Sequence, residues 1–286
     1  MQGRSQEDTT EQESRTCRSK IVMLHYDESM KSVQTGITRR GSRCGSTDRN
    51  KKKRGTKESM ITDQFGKKWY KGNLHTHSTN SDGRLSPEEV IGLYREEGYD
   101  FLALTDHWFM GEERREENFL LLSGAEYDVG NNVRDGIYHI VGIGMQKEPK
   151  LKKGPELQEK QAQLMIDRIH EAGGIAILAH PAWSMNRASE VRLLKDLDGC
   201  EIYNTTSGVP WNCRPYSGII LDELAAQGYV LPCMAADDAH QYTGDETKSY
   251  LMVQADELAD RDFTKISDGQ RQRVLLARAI CQQPGV

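Results

Sequence analysis

Two histidines stand two residues apart in the segment Leu74-His75-Thr76-His77, after residues 69–74, whose composition is typical of a short strand. Side chains at positions i and i+2 of an extended chain point to the same side, so one cation can bind both imidazoles. Asp82 follows in a Ser-Asp-Gly turn and offers a carboxylate ligand. Taken alone, such a pair is more often two surface histidines than a metal site.

The same residue types recur beside other apolar segments. Six of the eight histidines lie next to or inside such segments, accompanied by carboxylates. A single one of them would be read as a hydrogen-bonded core histidine, but the repetition favours metal binding. The set is too large for one ion and predicts two or three, and imidazoles with carboxylates but no thiolates suit Mn, Fe or Zn. The candidate ligands are His75, His77, Asp82, His107, Glu126, His139, His180, Asp238 and His240.

From residue 69 onward, short apolar segments alternate with helical stretches, a pattern typical of parallel βα units. Ser86-Pro87-Glu88-Glu89 predicts a helix start with Ser86 as the N-cap, and further helices are predicted over 156–172 and 219–227. One continuous strand is predicted over 120–128. Ligands that follow the strands of a parallel βα fold meet at the C-terminal edge of the sheet, where active sites of barrels are built.

The charge is unevenly distributed along the 286 residues. Residues 1–59 contain 14 Lys and Arg against 8 Asp and Glu, whereas the remainder contains 24 against 35. The first 59 residues are polar and are predicted to be a disordered basic extension. Their run Lys51-Lys52-Lys53-Arg54 is a candidate nucleic-acid contact, with a solvated charge run as the commoner alternative. The acidic remainder argues against a dedicated nucleic-acid-binding protein.

Cysteine usage and hydropathy bear on the cellular compartment. The six cysteines form no Cys-x-x-Cys pair, so neither a zinc ribbon nor a disulfide framework is predicted. No apolar segment has the length of a membrane span, and the N-terminus lacks the apolar core of a signal peptide. The sequence therefore predicts a cytoplasmic protein without a membrane partner.

Taken together, these motifs resemble the PHP family, the polymerase and histidinol phosphatase superfamily of metal-dependent phosphoesterases. The matching pieces are His75-Thr76-His77 with Asp82, Thr105-Asp106-His107, Gly124-Ala125-Glu126, His139, Ala179-His180-Pro181 and Asp238-Ala239-His240. The similarity covers roughly residues 67–253 and fills all nine ligand positions of the family. It implies a distorted (β/α)7 TIM-like barrel, incomplete at its C-terminal end.

The resemblance also implies how the ligands are shared among ions. One ion would be held by His75, His77, Glu126 and Asp238, a second by Glu126, His139 and His180, and a third by Asp82, His107 and His240. Glu126 would then bridge two metals. The implied activity is hydrolysis of a phosphate monoester or diester through a metal-bridging hydroxide. Glu126, Asp238 and His240 would be catalytic through the metal cluster.

The sequence leaves the substrate open between a small phosphorylated molecule and a nucleic-acid end. Arg84, Asn204 and Arg214, together with Lys71 and Trp183, lie near predicted loop ends and are candidate contacts for the phosphate or the leaving group. Ordinary surface residues are an equal alternative for each of them. A non-catalytic or nucleic-acid-associated PHP module is the alternative function.

The C-terminal residues depart from this pattern. Ile266-Ser267-Asp268-Gly269-Gln270 and the helical sequence that follows resemble the signature motif of an ABC transporter ATPase. No phosphate-binding loop of the form Gly-x-x-x-x-Gly-Lys-[Ser/Thr] occurs in the chain, so ATP binding is not expected. The predicted organisation is an extension over 1–59, a PHP domain over 60–258 and an ABC-like fragment over 259–286, with a defective fusion as a further alternative.

Overall fold

The structure, a computed structural model, describes residues 61–63, 65–66, 68–116, 118–130, 137–151, 158–210 and 212–254, together with the backbone of residues 21–22. The strands are β1 Ile21–Val22, β2 Ile61–Thr62, β3 Lys68–Asn73, β4 Phe101–Ala103, β5 Arg114–Glu116, β6 Phe119–Leu122, β7 Gly124–Val129, β8 Tyr138–Ile143, β9 Ile175–Leu178, β10 Gly199–Asn204, β11 Cys233–Ala236 and β12 Leu251–Gln254. The helices are α1 Pro87–Glu96, α2 Gln158–Glu171, α3 Ala188–Val191 and α4 Gly218–Ala226, and a 3-10 helix covers Thr206–Gly208.

The strands form two sheets. The first has the order β1-β12-β3-β4-β6-β5, with β2 also paired to β3, and the second has the order β11-β10-β9-β8-β7. Pairing is parallel within β3-β4-β6 and within β9-β10-β11, and antiparallel within β7-β8-β9 and between β12 and β3. Strand β1 pairs with β12, so the first sheet includes two residues of the N-terminal segment 1–59.

The mixed α/β character predicted from the sequence is confirmed. The expected distorted (β/α)7 TIM-like barrel, incomplete at its C-terminal end, is not confirmed, because the strands of the described residues form two sheets that do not close into one barrel. The two sheets are joined by single bridges, Thr76 to Ala239 and His107 to Glu126, rather than by a continuous ladder. Strands β7 and β8 are antiparallel because residues 130–137, which connect them, are fewer than the dozen or so that a parallel crossover needs.

The strand predicted over 120–128 is in fact two strands in different sheets. Strand β6 ends at Leu122 in the first sheet and β7 begins at Gly124 in the second. The hydroxyl of Ser123, the residue between them, donates a 2.8 Å hydrogen bond to the carbonyl of Met145. The sequence pattern gives no clear sign of this change of partner, because all of β6 and all of β7 except the half-buried Asp128 are buried.

The predicted helix start at Ser86 is confirmed. The carboxylate of Glu89 accepts hydrogen bonds from the backbone N–H of Ser86, at 2.8 Å, and from its hydroxyl, at 2.6 Å. Pro87 occupies the first helical position. Val90 and Tyr94 are fully buried and pack with Leu102 of β4 in a small core beneath α1.

Two larger cores surround the second sheet. One lies between the two sheets and includes Phe101, Val141, Ile177 and Leu251. The other lies on the outer face of the second sheet, where α2, α3 and α4 contribute apolar side chains such as those of Ile166, Val191 and Leu224. The outer helices and the shared inner core fix the strand ends that carry the polar residues described below.

None of the helices in the described part of the chain has the length and hydropathy that crossing a membrane requires. The predicted ABC-like fragment over 259–286 and the basic run over 51–54 lie outside the described residues.

Candidate metal centre

The candidate ligands meet at one rim of the fold, where parallel strands of both sheets end. His75 and His77 follow β3, His107 follows β4, His180 follows β9 and Asp238 follows β11. The bridges between the sheets lie at the same rim, since Thr76 separates the first two histidines and His107 pairs with Glu126.

Glu126 and His139 reach the rim from the antiparallel part of the second sheet. Glu126 lies in the middle of β7, and His139 is the second residue of β8. Because β8 runs antiparallel to β9, its beginning lies beside the end of β9. His139 pairs with Asp128 of β7, two residues from Glu126, and its Nδ1 lies 2.8 Å from Oε1 of Glu126.

Four ligand atoms surround one point in the buried part of the site. His75 Nε2 and His77 Nε2 each lie 3.1 Å from Oε2 of Glu126, and 3.1 and 3.0 Å from Oδ1 of Asp238. The two nitrogens are 3.2 Å apart. Ligand atoms in a tetrahedral zinc site are about 3.3 Å apart, given bonds of about 2.0–2.1 Å. The spacing fits a divalent cation at the centre of these four residues.

Two buried side-chain atoms of the candidate ligands have no hydrogen-bond partner among the described residues: Oδ1 of Asp238 and Nδ1 of His107. A buried polar atom without a partner is unfavourable by about 1–3 kcal/mol. Both atoms face other candidate ligands, because the Asp238 oxygen lies 3.0 Å from His77 Nε2 and the His107 nitrogen lies 3.5 Å from Oε2 of Glu126. A cation would satisfy them.

The carboxylate of Glu126 divides the cluster. Its Oε2 faces His75 and His77, whereas its Oε1 lies 2.8 Å from His139 Nδ1 and 3.1 Å from His180 Nε2. Each oxygen thus belongs to a different group of imidazoles. This is the arrangement expected of a carboxylate that bridges two cations.

A third group is wider and closer to solvent. The carboxylate of Asp82 lies 3.5 Å from His240 Nε2, 3.6 Å from His77 Nδ1 and 3.8 Å from His107 Nε2. Its side chain is 56% exposed, compared with 7% for Asp238. The third group therefore has the right residue types but a less enclosed geometry.

Gly83 allows the turn that carries Asp82 to approach the first histidine segment. A Cβ atom at position 83 would lie 2.6 Å from the backbone carbon and oxygen of His77 and 2.7 Å from the nitrogen of Ser78. These are backbone atoms, which cannot move aside easily. Only glycine fits this turn without displacing it.

Hydrogen bonds to the outer nitrogens fix two of the imidazoles. His75 Nδ1 donates to Oε1 of Glu201 at 2.6 Å, and His240 Nδ1 donates to the backbone carbonyl of Asp238 at 2.7 Å. Each bond leaves Nε2 as the nitrogen with a free lone pair. Nε2 of His75 lies 3.1 Å from both Glu126 and Asp238, and Nε2 of His240 lies 3.5 Å from Asp82.

The surrounding imidazoles stabilise the negative charge of the two buried carboxylates. Burial alone would raise the pKa values of Glu126 and Asp238, because a carboxylate loses hydration in the interior. The positive charge of His75 and of the other imidazoles outweighs burial, and both pKa values lie below their usual range.

The pKa values of three buried histidines are raised by the same contacts. Burial lowers the pKa of His77, but its contacts with Asp238 and Glu126 outweigh burial and raise the pKa to about 9. The pKa values of His75 and His180 are raised by the same balance. Burial dominates for His107, whose pKa is lowered. Without a cation, protonated imidazoles balance the charge of the carboxylates. Metal binding would displace these protons.

A cavity of about 410 Å³ opens over the cluster. Its volume is within the range of about 300–1,000 Å³ that small-molecule sites occupy. Among the described residues that line it there is no Lys or Arg, so a negatively charged ligand would face the metal-ligand cluster. The lining residues outside the candidate ligands are Trp183, Thr206, Ser207, Val209, Asn212, Gln241 and Asp245.

Comparison with solved structures identifies the fold. A two-domain protein from Bacteroides vulgatus, described as containing a predicted PHP-like metal-dependent phosphoesterase, is 18% identical and superposes with a TM-score of 0.52. The match covers 80% of this chain and 67% of that one. At this identity the match shows that the two chains share a fold. An amidohydrolase from Chromobacterium violaceum is 19% identical with a TM-score of 0.45, covering 63% of this chain and 90% of the other.

Sequence comparison gives a shorter match. No protein-family model matches the chain. A Haemophilus influenzae protein named 5'-3' exoribonuclease is 35% identical over 114 residues, which are 36% of this chain. The matched part spans 41% of that relative's length. The resemblance of residues 259–286 to an ABC ATPase receives no support from these comparisons.

The structure brings the nine predicted ligands together, but it places the predicted substrate contacts differently. Asn204 is fully buried, and its amide donates to Glu201 at 2.9 Å and to Asp238 at 3.1 Å. Arg84 is exposed and donates to Gln241 of the cavity wall at 2.6 Å. Arg214 is exposed and does not line the cavity.

Lys71 and Trp183, the other two predicted contacts, also differ from each other. The Lys71 ammonium lies over the ring of Tyr99, 3.9 Å from its centroid, and Lys71 is not among the residues that line the cavity. Trp183 does line it, and its ring makes edge contacts with His139 and His180.

Three buried carboxylates next to the site were not predicted from the sequence. Asp106 accepts from the backbone N–H and the hydroxyl of Ser78, each at 2.7 Å, and so fixes the segment after His77. Asp237 and Glu201 are fully buried. Glu201 interrupts an apolar strand in the same way as Glu126, so the same sequence signal could have identified it.

Proposed function

We propose that the chain is a metal-dependent phosphoesterase. The observation that carries this proposal is the divided carboxylate of Glu126, whose two oxygens face two separate groups of imidazoles. Such an arrangement suits a pair of cations that act on one substrate, as in metal-dependent phosphoester hydrolysis. The PHP-like fold supports the same reading.

Some of the candidate ligands are buried and would enclose the cations, whereas others line the cavity, where a substrate could reach the cations. Glu126 and Asp238 are buried and provide fixed negative charge, and His75 and His180 complete the enclosed part of the site. His240 lines the cavity and directs Nε2 towards Asp82. When bound, divalent cations supply Lewis acidity: they polarise phosphate oxygens and activate water.

We infer that the substrate is a phosphate ester of a nucleotide or nucleic-acid end. The partial sequence match to a protein named 5'-3' exoribonuclease favours this class. The cavity lining beside the cluster is compatible with it, because Trp183 can contact a base and Asn212 and Gln241 offer amide groups. Bases stack on aromatic side chains with little sequence preference.

The proposal is tested by elemental analysis of the purified protein together with hydrolysis assays in added Mn²⁺. An aryl phosphate tests for phosphoester hydrolysis in general, and a 5'-phosphorylated oligoribonucleotide tests the substrate class. We expect two or three metal equivalents per chain and hydrolysis that EDTA abolishes.

Variants separate the metal centre from general effects of mutation. His77→Ala and Asp238→Ala should abolish hydrolysis while the far-UV circular dichroism spectrum is retained. His170→Ala is the matched control, because His170 makes a comparable contact with a carboxylate, that of Asp198 at 2.8 Å, and belongs to none of the candidate ligand groups. Normal turnover in the first two variants would refute the proposal.

A further inference from the structure

Glu201 is a fully buried carboxylate that contacts the candidate metal centre without belonging to any of its ligand groups. It lies in the middle of strand β10. Burial of a carboxylate is strongly unfavourable unless hydrogen bonds or opposite charges compensate for it. Both of its oxygens are engaged, and each engages a different part of the site.

The first oxygen fixes the ring of His75. Oε1 of Glu201 lies 2.6 Å from His75 Nδ1, and because a carboxylate can only accept, Nδ1 carries the hydrogen. The lone pair is then on Nε2, which lies 3.1 Å from both Glu126 and Asp238. The contact thus selects the one neutral tautomer of His75 that can bind a cation at the centre of the first group.

The second oxygen fixes the ligand that follows strand β9. Oε2 of Glu201 accepts from the backbone N–H of His180 at 2.9 Å. His180 has a φ of 27°, a backbone conformation that side-chain-bearing residues rarely adopt. The hydrogen bond therefore holds an unfavourable backbone in place, and the ring that it presents lies 3.1 Å from Oε1 of Glu126.

Asn204 extends the same network to a third ligand. Its amide nitrogen donates to Oε2 of Glu201 at 2.9 Å and to Oδ2 of Asp238 at 3.1 Å. Its amide oxygen accepts from the backbone N–H of Ser207 at 2.9 Å, which fixes the orientation of the amide. Glu201 is thereby connected to His75 and Asp238 on one side of Glu126 and to His180 on the other.

We propose that Glu201 is a positioning residue that keeps His75 in its metal-binding tautomer and holds the ligands of both cation groups in register. The proposal rests on the proposed metal centre but not on the phosphoesterase activity, since it concerns metal affinity. Three groups, His75 Nδ1, the backbone N–H of His180 and the amide of Asn204, already donate hydrogen bonds to the two oxygens of Glu201. This explains why Glu201 is not itself a metal ligand.

Glu201→Gln is the decisive variant. Glutamine has one acceptor oxygen and one NH₂ donor, whereas all three partners of Glu201 are donors. If the NH₂ group faces His75, it donates to Nδ1 and moves the ring hydrogen to Nε2, where it blocks the cation. If the NH₂ group faces His180 instead, it lies next to two other donors, the backbone N–H of His180 and the amide NH₂ of Asn204, and neither can form a hydrogen bond with it. Loss of such an outer contact lowers metal affinity by about 10–100-fold.

The measurement is Mn²⁺ binding to the metal-stripped full-length protein by titration calorimetry, with elemental analysis of the loaded protein. We expect weaker binding at both enclosed sites in Glu201→Gln and recovery of the bound metal, and of any hydrolysis, at high Mn²⁺. Wild-type protein that binds Mn²⁺ but hydrolyses no phosphate ester would refute the proposed function and leave this proposal testable.

The matched control is Asp198→Asn. Asp198 also accepts from a histidine ring, that of His170 at 2.8 Å, and from a backbone N–H, that of Ala176 at 2.8 Å. Its removal should lower stability without changing Mn²⁺ affinity. Unchanged Mn²⁺ affinity in Glu201→Gln, or an equal loss of affinity in Asp198→Asn, would overturn the proposal.

If Glu201→Gln does not fold, the wild-type protein provides a second test. Nitrogen-15 NMR of the imidazoles in the Zn²⁺-loaded protein should show His75 with hydrogen on Nδ1, protected from exchange with solvent. Coordination of His75 through Nδ1 would overturn the proposal.

Discussion

The amide nitrogen of Asn73 donates a 2.8 Å hydrogen bond to Oδ2 of Asp237, and both residues are fully buried. Asn73 ends strand β3 and Asp237 follows strand β11, so this bond joins the two sheets immediately before their ligands begin. The carboxylate of Asp237 accepts five hydrogen bonds in all. Burial raises its pKa to about 6, although hydrogen bonds from Ser249, Tyr94, Lys248 and Thr205 oppose the shift.

Replacement of Asn73 by alanine should destabilise the protein by about 1–3 kcal/mol, because the buried carboxylate of Asp237 loses one of its five donors and the buried backbone N–H of His75 loses its acceptor, Oδ1 of Asn73, at 3.1 Å. Urea unfolding monitored by circular dichroism measures the change. Arg168→Ala is the control, since its ion pair with Glu171 is on the exposed surface of α2 and surface pairs contribute about 0–1 kcal/mol. Equal effects of the two variants would contradict the prediction.

The stability of the metal-free protein should fall as the pH rises from about 6.5 to 9. The pKa of His77 is about 9 in the folded protein, above the value of 6.5 for an unperturbed histidine. A raised pKa means that the folded state binds the proton more tightly, so this contribution is fully present below pH 6.5 and is lost as the pH passes through 9.

The test of this pH dependence is urea unfolding of EDTA-treated protein at a series of pH values. His77→Gln should remove much of the decline. Protein loaded with metal should not show it, because the cation replaces the proton. A metal-free stability that rises between pH 6.5 and 9 would contradict the assignment of the proton to the cluster.

Gly83→Ala should weaken the third cation group selectively. The added methyl group would lie 2.6 Å from backbone atoms of His77, so the turn must move and carry Asp82 with it. We expect loss of about one metal equivalent by elemental analysis. Gly92→Ala is the control: Gly92 lies in α1 with no atom within 4 Å of the added methyl, and helix propensity predicts a gain of about 1 kcal/mol in stability with unchanged metal content.

Trp183→Ala should raise the KM for a 5'-phosphorylated dinucleotide by about tenfold or more, given the proposed function. Trp183 is 39% exposed, lines the cavity and contacts the rings of His139 and His180 at their edges. Stacking of a base on an aromatic ring contributes about 1–3 kcal/mol. Trp183→Phe should retain most of the affinity, and Met185→Ala, at an exposed neighbouring position outside the cavity lining, should have no effect.

The sequence was sufficient to predict that the nine ligand candidates lie together. Eight of them stand at the end of an apolar segment or inside one, and Asp82 lies in the turn that follows the first two histidines. It was also sufficient for the start of α1, where Ser86, Pro87 and Glu89 act through local contacts. These features depend on short-range spacing, which a single sequence contains.

The pairing of strands and the outer contacts of the site were not predictable in the same way. The change of sheet at Ser123 leaves no trace in the apolar pattern, since both flanking strands are buried. The contact of Glu201 with His75 spans 126 residues of the chain, and that of Asp237 with Asn73 spans 164. Such contacts depend on tertiary structure, and the sequence reveals only that a carboxylate interrupts an apolar segment.

Metal removal should proceed in two stages. The Asp82 side chain is 56% exposed and its contacts with imidazole nitrogens are 3.5–3.8 Å long, whereas Glu126 is 1% exposed and its closest imidazole nitrogens are 2.8–3.1 Å away. A chelator therefore reaches the outer group first. Elemental analysis during dialysis against EDTA should show rapid loss of about one equivalent and slow loss of the rest. The Asp82→Asn variant should lack the rapid loss of one equivalent and retain the slow loss of the others. Loss of all metal at a single rate would show instead that the three groups bind and release their cations as one unit.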